Sequence, residues 1–286
     1  MNNNKYFETK KIFKNNLKKN GLLLKYIPND DKTFLICILA VKQNGLSLQY
    51  VPCTKKNNLV CKLAVNQNGL SLKYIPPDCQ NEEICKLAVK QNGLALQYVS
   101  NEYINESLYL LAINQNFTSL KYIPPECQNE KICKLAIKKN CASINYINNK
   151  LLNYDLSYYA IIRDWTSLEL IPDNIKTEEL CKLAIQQCGY ALRYLQDNEK
   201  TEELCKLAIQ QCGYALKYVP NDKKTEELCK LAVNKDSCAL KYVPDDKKTR
   251  ELCKLAVNKD GYTLQYVPDD KKTEELCKLS KIKKYI

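Results

Sequence analysis

The chain has 286 residues and no histidine, and its 44 lysines and arginines against 32 acidic residues give a formal net charge of +12. The missing imidazole argues against most general-base and catalytic-triad chemistry, because histidine is the side chain that titrates near neutrality. No apolar run approaches the roughly 18 residues of a membrane helix, and neither terminus resembles a secretory signal. We therefore expect a soluble, intracellular protein with no membrane span.

A register of 24 residues organises the whole sequence, most visibly at 177–222, where TEELCKLAIQQCGYAL is written twice in succession. Stepping by that period from the cysteine of the CKLA motif gives Cys37, Cys61, Cys85, Tyr109, Cys133, Ser157, Cys181, Cys205, Cys229, Cys253 and Cys277. Each repeat in such an array contacts only its neighbours. We predict one repeat array over residues 1–286, with a basic capping unit at 1–32, regular repeats over 33–272 and a half repeat at 273–286.

One position of this register holds a helix N-capping residue in every repeat, because the side-chain oxygens of threonine and asparagine accept a hydrogen bond from a free backbone N–H. These residues are Thr9, Thr33, Asn57, Asn81, Asn105, Asn129, Asn153, Thr177, Thr201, Thr225, Thr249 and Thr273. Apolar residues such as Leu180 and Ala184 follow at helical spacing. The pattern predicts a first helix of about eleven residues in each repeat.

Acidic residues in the first turn are expected to pair with a lysine one turn later, at i+4. The lysines concerned are Lys86, Lys134, Lys182, Lys206 and Lys230. Because such acidic pairs recur in many repeats, we interpret them as helix-start charges near the positive end of the helix dipole and not as a catalytic pair.

All seven glycines occupy a single register position, where a helix begun at the cap residue would end. They are Gly21, Gly45, Gly69, Gly93, Gly189, Gly213 and Gly261. This position predicts a left-handed residue that closes the helix in a Schellman turn. A glycine-rich phosphate loop is excluded, since no glycine remains to form one.

The second segment of each repeat, such as GLSLKYIP at 69–76, alternates like a strand until its last residues. We interpret it as a short helix that a proline ends, followed by a polar turn such as DDKK. Two short helices cannot bury their apolar faces alone, so stacking predicts an all-α fold, an α-solenoid of eleven to twelve helix-turn-helix repeats. A leucine-rich-repeat-like solenoid is the alternative, but its ladder asparagine is missing here.

Tandem helices of the ELCKLAVKQNG type, each followed by an LALQYVP-like segment, resemble the short repeats known as domain of unknown function 4116. That family occurs in giant DNA viruses, protists and some bacteria, and the resemblance covers essentially the whole chain. It implies a helical repeat and a viral or protist source, hence the host cytoplasm if viral. It implies no activity, cofactor or catalytic residue.

Nine of the sixteen cysteines lie at the CKLA position, where we predict small buried core residues. The chain has no CxxC motif and no histidine, so we predict neither a metal site nor a cofactor. The spacings Cys79/Cys85 and Cys127/Cys133 could be redox active, or could place a loop cysteine beside a core cysteine, which we prefer.

These observations predict a non-enzymatic repeat scaffold for protein–protein interaction, whose partner and oligomeric state the sequence leaves open. The alternative is a nucleic-acid or other polyanion binder that uses the basic N-terminal end, because residues 1–60 hold eleven lysines against three acidic residues.

One candidate binding surface is the outward position of the short second segment. It reads Lys25, Gln49, Lys73, Gln97, Lys121, Asn145, Glu169, Arg193, Lys217, Lys241 and Gln265. The candidate partner-binding residues in this row are five of its six cations, namely Lys73, Lys121, Arg193, Lys217 and Lys241.

A second candidate lies where the register is irregular, at residues 117–165. Phe117, Cys141 and Trp165 replace the glycine there, and Trp165 is the only tryptophan. Because large aromatic residues and arginines anchor interfaces, Arg163, Asp164 and Trp165 are candidate partner-binding residues. Sequence drift is the other explanation, and without glycine this repeat should not close its first helix by a left-handed turn.

Overall fold

The computed structural model describes residues 12–283, with side chains up to residue 281, and it divides into two units, Met1–Leu152 and Asn153–Ile286. All regular structure among the described residues is helical, so the leucine-rich-repeat alternative, which needs strands, is wrong. Each unit is an all-helical repeat solenoid, as predicted. The predicted division of residues 1–286 into a cap, repeats and a half repeat stays a prediction.

A long α-helix opens each repeat. In the first unit these are α1 (12–19), α2 (Phe34–Gln43), α3 (Asn58–Gln67), α4 (Glu82–Gln91), α5 (Glu106–Gln115) and α6 (Glu130–Lys139). In the second unit they are α7 (Tyr154–Arg163), α8 (Glu178–Gln187), α9 (Glu202–Gln211), α10 (Glu226–Lys235), α11 (Arg250–Lys259) and α12 (Glu274–Lys283).

A six-residue 3-10 helix, called the short helix below, follows the long helix. The first unit contains Gly21–Tyr26, Gly45–Tyr50, Gly69–Tyr74, Gly93–Tyr98, Phe117–Tyr122 and Cys141–Tyr146. The second contains Trp165–Leu170, Gly189–Tyr194, Gly213–Tyr218, Ser237–Tyr242 and Gly261–Tyr266. The predicted short helix is therefore confirmed, and it has the tighter 3-10 winding.

The predicted caps of the long helices are confirmed at every register position from Thr33 to Thr273, where the side chain accepts a hydrogen bond from the backbone N–H three residues later. Thr9 lies outside the described residues. In most repeats the residue that ends the long helix is itself a cap, as where the Asn44 side chain accepts from Leu46 N–H at the start of the short helix. This second cap favours the helical form of a segment whose sequence alternates like a strand. The short helices that follow Cys188 and Cys212 form without a side-chain cap, so the cap is not required.

The core runs between the long and short helices and takes the same register positions from each repeat. In one repeat these are Leu204, Cys205, Ala208, Ile209 and Leu216, all buried. Ala208 has no exposed surface, which confirms the predicted facing of the long helix.

The predicted left-handed glycine turn is wrong, because no residue with positive φ occurs among the described residues. The long helix ends instead at an extended residue, such as Asn68 with φ −151° and ψ 111°. The glycine is required by close packing: a Cβ at Gly69 would lie 2.3 Å from the Ala88 carbonyl oxygen of the next repeat. A glycine therefore lets the backbones of consecutive repeats approach closely.

Other residues at the glycine position loosen this packing. At Phe117, Trp165 and Ser237 the short helix packs less extensively against the next long helix than the glycine-bearing short helices do. The Trp165 repeat nevertheless ends its long helix in the ordinary way, at Asp164 with φ −158° and ψ 112°. The expectation that it needs a different closure is therefore wrong, since no repeat uses a left-handed turn.

The predicted pairing of glutamates with lysines at i+4 holds for Lys134 with Glu130 but is wrong for Lys182 and Lys206. Lys182 bonds to Glu203 at 2.5 Å and Lys206 to Glu227 at 2.8 Å, so each lysine reaches the next repeat. The described residues show no ion pair for Lys86 or Lys230. Neighbouring long helices lie side by side, which offers the lysine an acidic partner besides the one on its own helix.

Candidate functional site

The outward position of the short helix is exposed in every repeat from Lys25 to Gln265, as the candidate surface requires. Its cations lie against the ring of the tyrosine that follows. In the second unit, Arg193 is 5.2 Å from the ring centre of Tyr194 and Lys217 is 5.6 Å from that of Tyr218. A cation over an aromatic face is attracted by the ring quadrupole, so these contacts orient the charged groups. Lys25, Lys73, Lys121 and Lys241 make the same contact.

Glutamines alternate with lysines at this position in the first unit. The side-chain amides of Gln49 and Gln97 donate to the carbonyls of Leu46 and Leu94 in their own short helices. Cations therefore occur in every second repeat of the first unit, whereas in the second unit Arg193, Lys217 and Lys241 occupy consecutive repeats.

Aromatic pairs join consecutive repeats beneath the cations of the second unit. Tyr190 meets Tyr218 edge to face at 6.1 Å, and Tyr214 meets Tyr242 in the same way. Trp165 lies 5.9 Å from Tyr194. Trp165 thus makes the ring contact that Tyr190 and Tyr214 make in the next two repeats, although it lies one register position before theirs.

The three candidate residues of the irregular repeat differ in exposure and in contacts. Trp165 is half-buried and packs against the core of the second unit. The Asp164 carboxylate accepts from the N–H and hydroxyl of Thr166, which is the ordinary capping role of its position. Arg163 is exposed and its guanidinium lies 5.8 Å from the ring centre of Tyr159. Their role in binding stays a prediction.

The lysines of the polar turns have structural roles that the sequence analysis missed. Lys224 is buried, and its ammonium group donates to the Asn221 side chain and to the Tyr242 carbonyl of the next repeat, both at 2.9 Å. Burial lowers the pKa of Lys224. Lys223 donates backwards to the Lys200 carbonyl at 2.9 Å. The signal in the sequence that could have indicated this role is the recurrence of these lysines at fixed positions of the 24-residue register.

Glutamine replaces the buried lysine in part of the first unit. The Gln80 amide donates to the Tyr98 carbonyl at 3.0 Å and accepts from Ser100 N–H at 2.9 Å. Gln128 makes the equivalent bonds with Tyr146 and Asn148. Lysine and glutamine therefore have the same structural role at this position, since both form hydrogen bonds between one turn and the backbone of the next repeat.

The same use of lysines reduces the free charge of the N-terminal end. Lys32 is buried, Lys55 donates to the Lys32 carbonyl, and Lys56 donates to the Tyr74 carbonyl at 2.7 Å. The three lysines within residues 1–11 lie outside the described residues. The polyanion alternative therefore depends on fewer available cations than the sequence suggests.

A surface pocket of about 520 Å³ lies in the first unit. Tyr109, Cys127 and one carboxylate, Glu106, are among its lining residues. Burial and a hydrogen bond to the Cys127 thiol raise the pKa of Tyr109 to about 12, so this hydroxyl stays protonated at neutral pH.

Eight of the nine CKLA-register cysteines are buried, as predicted, and Cys277 is partly exposed. Burial raises the pKa of Cys61, Cys85, Cys133 and Cys181 to about 11. The cysteines are all free. The loop cysteines lie near the core of the preceding repeat. Cys79 contributes to the raised pKa of Cys61, and the Cys127 thiol is hydrogen-bonded to the Tyr109 hydroxyl.

Two further observations concern the described residues. No group of three or more cysteine or acidic side chains among residues 12–283 is arranged to hold a metal ion. Within the same range no helix has both the length and the apolar character needed to cross a membrane.

Comparison with known proteins identifies the repeats. A family model described as Domain of unknown function (DUF4116) matches residues 9–55, 57–104, 105–152 and 201–246, and each match spans about two repeats. No curated protein and no solved structure matches the chain. The four matches together cover more than half of the sequence, so the chain belongs to the family of domain of unknown function DUF4116.

Proposed function

We propose that this chain is a non-enzymatic scaffold that binds a partner protein through the outward face of its short helices. The observation that supports this most is the recurring surface of tyrosine rings and cations, exemplified by Tyr190, Tyr214 and Arg193. Tyrosine and arginine dominate binding energy at protein interfaces. Rings fixed by contacts between repeats lose little freedom on binding, which favours affinity.

Photo-crosslinking tests the proposal. A photoreactive phenylalanine analogue replaces Tyr214 on the short-helix face, and a matched variant carries it at Lys206 on the long-helix face. Each purified variant is irradiated in an extract of the source cells, and crosslinked species are identified by mass spectrometry with and without nuclease. The proposal expects a protein that crosslinks at position 214 and not at position 206.

Two results would overturn the scaffold. One is that neither position captures a protein. The other is that nuclease removes the crosslinked species, which would favour the polyanion alternative and extend it to this face. Neither outcome depends on the charge of the partner.

We also propose that the chain works in a reducing, intracellular compartment. Free thiols support this, since disulfides are rare where glutathione keeps cysteines reduced. Alkylation of the unfolded native protein without reductant should label every cysteine, and a cysteine that labels only after reduction would count against the proposal.

A further inference from the structure

We infer that Arg193, Lys217 and Lys241, called the three-cation row, bind an extended acidic peptide segment with a carboxylate at about every third residue. The inference rests on the proposed function, because it names the chemistry of the partner for the same surface. All three cations belong to the second unit.

Among the described residues, no acidic partner is seen for the three-cation row. Most other lysines of this unit are engaged, although Lys230, Lys235 and Lys281 show no partner within the described range. Lys182, Lys206 and Lys254 pair with glutamates of the next long helix, and Lys200, Lys224 and Lys248 bond within their turns. The described contacts of the three-cation row are with tyrosine rings only. Its charge is therefore available to an anionic partner.

The tyrosine rings hold the row in position. Each cation lies 5.2–5.9 Å from the ring centre of Tyr194, Tyr218 or Tyr242. Each of these rings in turn packs against a ring of the preceding repeat, at 5.9–6.1 Å. A cation held in this way loses less side-chain freedom on binding than a lysine in open solvent.

The ends of the row define its length. The preceding repeat has Glu169 at the same position, with Leu170 in place of the tyrosine, so it repels a carboxylate and lacks the ring. The following repeat has Gln265, whose amide donates to the Tyr262 carbonyl of its own short helix. The row therefore presents three positive groups in consecutive repeats.

The spacing of repeats selects the conformation of the partner. Neighbouring packed helices lie about 8–10 Å apart. A polyproline II chain rises about 3.1 Å per residue with three residues per turn, so side chains at i and i+3 lie on one side about 9 Å apart. An acidic residue at every third position thus matches the row, whereas adjacent carboxylates in an extended chain do not.

Fluorescence anisotropy with the full-length chain tests this match. The probe is a fluorescein-labelled peptide EPPEPPEPP, and its isomer EEEPPPPPP has the same composition and charge with adjacent glutamates. We expect the spaced peptide to bind at least about tenfold more tightly than its isomer, and both to weaken as salt rises because exposed charges are screened.

Two variants with equal loss of charge separate the row from the net charge. The triple variant Arg193→Gln, Lys217→Gln, Lys241→Gln should weaken binding of the spaced peptide about tenfold or more, as expected for three exposed ion pairs. The control triple variant Lys182→Gln, Lys206→Gln, Lys254→Gln should change it less than about threefold. Circular dichroism checks that both fold. Equal weakening by the two variants, or equal affinity for the two peptides, would overturn the inference.

Two further measurements complete the test. Gln265→Lys should extend the row, so it should strengthen the binding of a peptide with four spaced glutamates but not of the peptide with three. A dT12 oligonucleotide that binds more tightly than the spaced peptide, and loses binding in the row variant, would assign the row to nucleic acid and refute the acidic-peptide inference.

Failure here is distinguishable from failure of the scaffold. If the Tyr214 crosslink to a protein persists in the row variant, the acidic-segment inference falls and the scaffold proposal stands. If no protein crosslinks in either background, the scaffold proposal falls.

Discussion

A single methyl group at Gly69 tests how consecutive repeats are held together. A Cβ at this position would lie 2.3 Å from the Ala88 carbonyl oxygen, 2.9 Å from Gln91 Oε1 and 3.1 Å from Asn92 Cβ. Carbon and oxygen normally approach to about 3.3 Å, so the two backbones must separate by about 1 Å. The Gly69→Ala variant is therefore expected to strain the contact between the two repeats.

The magnitude follows from two opposing effects. Overpacking of a close contact costs about 1–3 kcal/mol. Replacing glycine where φ is negative stiffens the unfolded chain and returns about 0.4–1 kcal/mol. We expect a net loss of about 1–2 kcal/mol in the free energy of unfolding.

The assay must be local, because repeat arrays do not always unfold in one step. Urea unfolding followed by circular dichroism gives the overall change. Hydrogen exchange of the Asn92 amide reports the site itself, since this amide donates to the Ala88 carbonyl at 2.9 Å. We expect the Asn92 amide to exchange faster in Gly69→Ala.

Matched variants decide between close packing and a left-handed turn. Close packing predicts that Gly69→Asn is at least as harmful as Gly69→Ala, whereas asparagine tolerates a left-handed conformation. Ser237→Ala, at the same register position with a Cβ already present, should change stability by less than about 0.5 kcal/mol. A Gly69→Ala variant as stable as the wild type would refute the reasoning.

Four further predictions concern Ser71, Cys181 and Trp165. Ser71→Ala should raise the free energy of unfolding by about 1 kcal/mol, because the buried Ser71 hydroxyl has no hydrogen-bond partner among the described residues; a loss in urea unfolding would contradict this. Cys181 should alkylate far more slowly than the exposed Cys53 in the folded chain. Burial raises the pKa of Cys181 to about 11, so as pH rises the thiol of the unfolded chain loses its proton before that of the folded chain does. The contribution of Cys181 to the free energy of unfolding should therefore be lost as pH rises from about 9 to 11, and Cys181→Ala should make this pH dependence weaker. Trp165→Ala should lower the melting temperature, because its contact with Tyr194 joins two repeats; intact partner binding in that variant would remove Trp165 from the candidate binding residues, whereas a loss of affinity of about 2 kcal/mol at unchanged stability would support it.

The sequence alone determined the features that depend on neighbouring residues. The caps of the long helices, such as Thr201, act on an N–H three residues away and follow from residue type. The buried face of Ala208 follows from helical spacing, and the period of 24 residues predicted a stack of helices. The exposed row was predicted for the same reason, because its position alternates with core residues.

Tertiary structure decided the features whose partners lie in the next repeat. The role of Gly69 depends on how closely the Ala88 carbonyl approaches, which the local sequence does not specify. Lys206 has an acidic residue four positions before it and another 21 positions after it, and only the packing of the long helices places Glu227 within reach. Lys224 belongs to a turn that the sequence suggests is solvated, yet its ammonium group donates a hydrogen bond to the Tyr242 carbonyl of the next repeat. These choices depend on distances between repeats, which the composition of one repeat cannot fix.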